Sequence, residues 1–148
     1  MNRRSFLVLT LSATALPVLP ARATDTVHVL KTSSCGCCNA WITHLRKAGF
    51  PVTAKDVPMA LLNQEKLSAG LTPELSSCHT ARVGGYVIEG HVPAVDIQRL
   101  LRERPDALGL TVPGMPEGSP GMETGKADPY DVLLFAKGGT TTVYSRYS

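Results

Sequence analysis

The sequence predicts an α/β domain built on a mixed sheet, and three observations predict it. Strand-like and helical patterns alternate from residue 26 to about residue 104. The first strand, helix and strand read as a parallel β-α-β crossover, which takes one hand in nearly all proteins. Gly84 and Gly85 then separate two β-rich runs, the spacing of a two-residue hairpin. The predicted order is β-α-β-α-β-β-α with an extra C-terminal hairpin.

The N-terminus reads as an address rather than as structure. Arg3 and Arg4 form a basic start, residues 6–18 an apolar stretch, and Ala21-Arg22-Ala23 an A-x-A cleavage pattern. The Asn2-Arg-Arg-Ser-Phe-Leu7 run resembles a twin-arginine signal. The apolar stretch is too short for a membrane span and is broken by Pro17 and Pro20. Residues 1–23 are therefore expected to be a signal peptide cleaved near Ala23, with residues 24–148 a single exported domain and the periplasm its destination. Three of the 15 basic residues and none of the 12 acidic ones lie in that signal, so the rest balances at 12 against 12. Such a balance gives no basis for a nucleic-acid partner or for membrane association after cleavage.

Each element has its own pattern. Residues 26–31 alternate, with Val27 and Val29 on one face and His28 and Leu30 on the other. Thr32, Ser33 and Ser34 supply hydroxyls suited to capping the next helix, which runs from Cys37 or Cys38 to Ala48 and stops at Gly49. Residues 51–57 alternate again and end at Pro58. Residues 59–69 place Leu61, Leu62, Glu65 and Lys66 at helical spacings, with Gly70 after them. A polar loop, 72–80, leads into the hairpin 81–83 and 86–89, expected at an antiparallel edge. Pro93 opens a third helix with Asp96 in its first turn, Ile97, Leu100 and Leu101 facing the core, and Arg99, Arg102 and Arg104 toward its C-terminus. A Gly/Pro-rich segment, 113–123, precedes a last hairpin of residues 130–136 and 140–144, joined across Gly138 and Gly139. No internal repeat or linker divides the chain. This is the order of a thioredoxin-like domain, in which the first helix carries reactive cysteines at its N-terminus and the loop before the third strand lies against them.

Three of the four cysteines fall within four positions, Cys35, Cys37 and Cys38, between a strand and a helix start. Backbone N–H groups and the helix dipole favour the thiolate there, the form that binds a soft metal or attacks a disulfide. Two structural disulfides fit poorly, since bridges among such close neighbours constrain almost nothing. Cys35 and Cys38 make a C-x-x-C, but a dithiol mechanism has no use for Cys37. Several thiolates together suit a soft ion, above all Cu(I); the redox dithiol and a structural zinc site stay open as alternatives. Cys78 and His79 occupy the loop expected to face the cluster and are read as a fourth thiol and an imidazole ligand. Met115 and Met122, in a segment with no core to fill, and His91, before a helix, are weaker ligand candidates. Trp41 is read as core, His44 as ordinary and half-exposed, and His28 as structural. Glu89 and Asp96 form no paired-carboxylate arrangement, and no Ser-His-Asp or phosphate-loop signature is present.

The motifs Cys35-Gly-Cys-Cys-x-x-Trp41-x-x-His44-Leu, Gly49-Phe50, Ser77-Cys-His-Thr80, Gly85-Tyr-Val-Ile-Glu-Gly-His-Val-Pro93 and Gly114-Met-Pro-x-Gly-Ser-Pro-Gly-Met122 occur in this order. Together they resemble the CopG-type periplasmic copper-resistance proteins, a family distinct from the ribbon–helix–helix repressor of the same name. The resemblance implies a thioredoxin-like fold and a multinuclear copper(I) site on Cys35, Cys37, Cys38 and Cys78. It also implies a setting among copper or silver export systems. The expected function is an exported copper(I)-binding protein that sequesters periplasmic copper or hands it on. The alternative is a thiol-disulfide or copper oxidoreductase using Cys35 and Cys38.

Overall fold

The computed structural model describes residues 25–148; the expected signal peptide, 1–23, lies outside the described residues. Seven strands form one sheet in the order β2-β1-β3-β4-β5-β6-β7. They are β1 (Val27–Lys31), β2 (Val52–Asp56), β3 (Thr80–Val83), β4 (Tyr86–Glu89), β5 (Gly109–Thr111), β6 (Tyr130–Phe135) and β7 (Thr141–Tyr147). Three helices accompany them: α1 (Gly36–Lys47), α2 (Met59–Ser68) and α3 (Ala94–Glu103). β1 and β2 pair in parallel across α1, as a β-α-β unit requires. The fold is the expected thioredoxin-like α/β arrangement with added C-terminal strands.

Alternation of side chains across the strands sorts the core into two layers. Val27 and Val29 of β1, Ala81 and Val83 of β3, and Tyr86 and Ile88 of β4 pack with Trp41 and Leu45 of α1 and Ile97 and Leu100 of α3. Val87 faces the other way and packs with Ala69, Leu71, Leu75 and Phe135 beyond α2. Glu89, two residues on from Val87, emerges on that same side, toward α2.

Two expectations are corrected. The Gly84-Gly85 turn forms as predicted, with φ of +56° and +89° at its two glycines, values that favour glycine. Its hairpin, however, lies in the middle of the sheet rather than at an edge, because β5 adds in parallel to β4 and carries β6 and β7 beyond it. β5 has only three residues and matches no alternating pattern in the sequence. The C-terminal hairpin extends to Tyr147, with a register shift between Val132 and Leu133. Among the described residues no helix is long and apolar enough to cross a membrane.

The register explains why distant segments converge. Leu30 of β1 lies opposite Thr80, Thr80 opposite Glu89, and Glu89 beside Thr111. That row crosses the sheet at one end. The loops leaving β1, β4 and β5 and the loop entering β3 all meet there, bringing together Cys35, Cys78, His91 and the 113–122 segment.

Candidate metal and thiol site

α1 begins without the hydroxyl cap expected from Thr32, Ser33 or Ser34. Cys35 itself is the N-cap residue, no side chain bonds the helix start, and the first turn holds no acidic residue. Cys35 N–H instead donates to Thr32 O at 3.3 Å. The partial positive charge of the helix N-terminus is thus left to the cysteines, the arrangement that favours thiolate. Cys38 is fully buried and Cys35 half-buried, and the two are joined as a disulfide with Cα atoms 5.4 Å apart. Cys37 and Cys78 are free thiols.

All four Sγ atoms lie within 4.8 Å of one another. Cys37 Sγ is 3.5 Å from Cys35 Sγ and 3.8 Å from Cys78 Sγ, and Cys38 Sγ is 3.6 Å from Cys78 Sγ. Cys78 also touches two imidazoles, His79 Nδ1 at 3.3 Å and His91 Nε2 at 3.1 Å. The structure therefore collects the cysteines, His79 and His91. Met115 is exposed and Met122 half-buried on the segment that covers the site.

The loop carrying Cys78 is fixed from below by a buried polar network absent from the sequence reading. Lys66 of α2 pairs with Glu89 at the end of β4 and donates to Thr80 Oγ1 at 2.9 Å. Thr80 Oγ1 in turn donates to Glu89 Oε2, and Ser77 N–H donates to Glu89 Oε1, each at 2.6 Å. Burial pushes the Glu89 carboxyl up, opposed by the Lys66 ammonium and the donated hydrogen bonds. One buried carboxylate thus holds both ends of the turn that presents Cys78 and His79.

The Gly/Pro segment straps the opposite side. Gly121 (φ +89°) lies so close to α1 that a Cβ there would come within 2.8 Å of Cys37 O and 2.7 Å of Trp41 N. Pro120 O accepts from His91 Nδ1 at 2.8 Å. A carbonyl only accepts, so Nδ1 carries the proton and the neutral ring turns the Nε2 lone pair toward Cys78. His91 thus makes a backbone bond through the ring nitrogen opposite the one that meets the thiol. Trp41 is core, as expected; its Nε1 donates to Val92 O at 2.9 Å and its ring lies tilted against that of His79, centroids 4.3 Å apart. His44 has a function the sequence did not disclose, because its Nε2 accepts the N–H of Ala94 at 3.0 Å and caps α3.

Burial governs the site's protonation. It holds His79 well below its ordinary value and lowers His91, so both imidazoles are neutral and ligand-ready. Burial and then the adjacent Cys37 push the Cys78 thiol up to about 12, from 9.0. A metal ion taken up at Cys78 would therefore have to displace a proton. In metal-free protein with the disulfide intact, alkylation of Cys78 by iodoacetamide at pH 8 is expected to be slower than that of an ordinary thiol. The deficit in thiolate is about 1,000-fold, offset in part by greater nucleophilicity, for a net slowing of roughly 30- to 60-fold. The rate should climb steadily above pH 9, and a plateau there would overturn the assignment.

A groove gives access to the site. About 460 Å³ in volume, it lies between α2 and the 3-10 turn Pro73–Leu75 and opens onto Cys35 and Cys78, with Met59, Leu67 and Leu71 among its apolar walls. Thr111 Oγ1 holds that turn by donating to Leu75 O at 2.6 Å. A thiol-seeking ion or a partner's sulfur can thus reach two of the four cysteines without displacing the strap.

Comparison with known proteins adds three findings. Residues 75–122, the span from the Cys78 loop through the strap, match a family model described as protein of unknown function, DUF411. A solved structure of "Copper resistance protein copG- Form 2" is 42% identical, with a TM-score of 0.78 over 85% of this chain and 100% of that one. Its "Form 1" counterpart is 41% identical, with the same TM-score over 84% and 98%. No curated protein matches the chain.

Proposed function

The chain belongs to the CopG-type copper-resistance family, and from that premise we propose that it is an exported copper(I)-binding protein that sequesters periplasmic copper or hands it to an export system. The observation that carries the reading is the meeting of four sulfurs, from Cys35, Cys37, Cys38 and Cys78, within 4.8 Å at a half-open helix start. In the reduced state the four thiolates can bridge more than one Cu(I), because a thiolate sulfur can serve two soft ions. His79 adjoins Cys78 and would add an imidazole, while Met122 follows the Gly121 contact with α1 and would add a thioether. The groove beside Cys35 offers the route for ligand exchange with a copper or silver exporter component.

A second reading, a thiol-disulfide or copper oxidoreductase, is favoured by one observation, the Cys35–Cys38 disulfide. The buried Cys38 and the more accessible Cys35 have the asymmetry of resolving and attacking thiols. Cys37 separates the readings. Copper content and free thiols are measured on protein purified from the periplasm without reductant. More than one copper per chain, lost in Cys37→Ser, supports the copper carrier. Metal-free protein whose reduction of a model disulfide survives Cys37→Ser replaces it with the oxidoreductase.

A further inference from the structure

The C-terminal hairpin carries chemistry that the thiol site does not use. Of the chain's four tyrosines, Tyr130 lies on β6 and Tyr144 and Tyr147 on β7. We propose that Tyr147 is a one-electron donor site, a redox-active tyrosine whose phenolic proton passes to Asp96 of α3 as the electron leaves.

Strand register builds this site. Val132 pairs with Ser145 and Leu133 with Val143, so Tyr144 is an extra residue, a bulge in β7. Beyond it Ser145 and Tyr147, two positions apart, face the same way, and both donate to Asp96. Tyr147 Oη lies 2.6 Å from Asp96 Oδ2, the length of a charge-assisted bond to a carboxylate. Asp96 is only 4% exposed and sits in the first turn of α3, where the positive end of the helix dipole suits an anion. Tyr130 lies directly opposite Tyr147, and their rings stack within 10° of parallel, centroids 4.9 Å apart.

These are the features a phenol needs in order to give up an electron. Loss of the electron alone leaves a radical cation, a far stronger acid than the phenol. A base already bonded to the hydroxyl takes the proton in the same step. The step balances: a one-electron oxidant, such as an oxygen-centred radical, gains the electron. The Tyr147 O–H bond breaks, an O–H bond forms on Asp96, and a neutral tyrosyl radical remains beside a neutral acid. The transfer thus removes a buried negative charge instead of creating a positive one, which burial favours. Burial, and then the Asp96 bond, push the Tyr147 hydroxyl above its ordinary value, so it holds its proton at neutral pH. The ring itself is half-buried, open to an oxidant on one side.

Two other tyrosines lack this combination. Tyr86 donates to Pro105 O, a carbonyl that is no base, and the Arg104 guanidinium lies 4.8 Å from its ring centre. Tyr144 donates to the exposed Glu103, and the Arg99 guanidinium, 3.6 Å from its ring centre, opposes loss of an electron. Neither Tyr147 nor Asp96 belongs to the thiol site, so the inference does not depend on the copper reading.

The test oxidises metal-free protein with photogenerated ruthenium(III) tris-bipyridine and follows the radical by transient absorption and electron paramagnetic resonance. The expected product is a tyrosyl radical that forms more slowly in D2O and at a rate independent of phosphate buffer concentration. Tyr147→Phe should abolish it, while Tyr144→Phe and Tyr86→Phe should leave it. Asp96→Asn should slow its formation by about 100-fold, the lower end of what a positioned base contributes, and make the residual rate rise with phosphate. The inference is overturned if wild-type protein yields only an indolyl radical on Trp41. It is equally overturned if the wild-type rate rises in proportion to phosphate, since solvent base rather than Asp96 then takes the proton. Both results are read on wild-type protein and need no variant to fold. A tyrosyl radical undiminished in Tyr147→Phe would also overturn it.

Discussion

Cys78→Ser is expected to remove more than half of the copper(I) bound per chain by reduced protein and to weaken what remains by more than about 100-fold, beyond the 10- to 100-fold cost of losing an outer-shell partner. The expectation follows from the position of this sulfur. Cys78 lies 3.6 Å from Cys38, 3.8 Å from Cys37, 3.3 Å from His79 and 3.1 Å from His91. It is the point where the helix-borne thiols meet the imidazoles. A serine oxygen keeps the shape but is a hard donor that Cu(I) ignores. Cys35, whose sulfur neighbours are Cys37 and Cys38 of its own helix start, is an outer member, and Cys35→Ser should cost less copper than Cys78→Ser. Anaerobic titration against a chromophoric Cu(I) chelator measures both variants. Equal losses would show that Cys78 is one thiol among four rather than the hub, and an unchanged stoichiometry would remove it from the site.

The sequence exposed the cysteine cluster because its spacing is local. Three thiols in four positions between a strand and a helix need no tertiary knowledge to be noticed, and Trp41 at helical spacing was readable as core. Cys78 and His79 were reachable only through topology, from the expectation that the loop before β3 faces the head of α1. The remainder was hidden because it depends on register. Lys66 and Glu89 are 23 residues apart and look like ordinary surface charges until β4 turns Glu89 toward α2. His91 shows its role only when Pro120, 29 residues later, fixes its proton. The expected hydroxyl cap failed for a local reason. Cys35 occupies the N-cap position itself, so the serines fall outside the helix start. β5 escaped notice because three residues carry no period; Gly109 is there because a Cβ would overlap the Val87 carbonyl oxygen.

Glu89→Gln is expected to destabilise the fold by about 3–5 kcal/mol, the cost of leaving one member of a buried ion pair without its partner. Glu89 is fully buried and Lys66 nearly so, and water cannot compensate the orphaned ammonium. The amide can still accept from Ser77 N–H or Thr80 Oγ1, but it cannot neutralise Lys66. The paired change Lys66→Met/Glu89→Leu removes both charges and should recover part of the loss, since apolar replacements of buried pairs are often neutral. It cannot restore the two 2.6 Å hydrogen bonds that hold Ser77 and Thr80 on either side of Cys78 and His79. Stability and metal binding should therefore separate. Urea unfolding should place the double variant above Glu89→Gln, while its copper affinity stays below wild type because the loop is no longer pinned. A double variant as unstable as Glu89→Gln would assign the stabilisation to the hydrogen bonds rather than the charges. One that binds copper like wild type would show that the loop finds its place without Glu89.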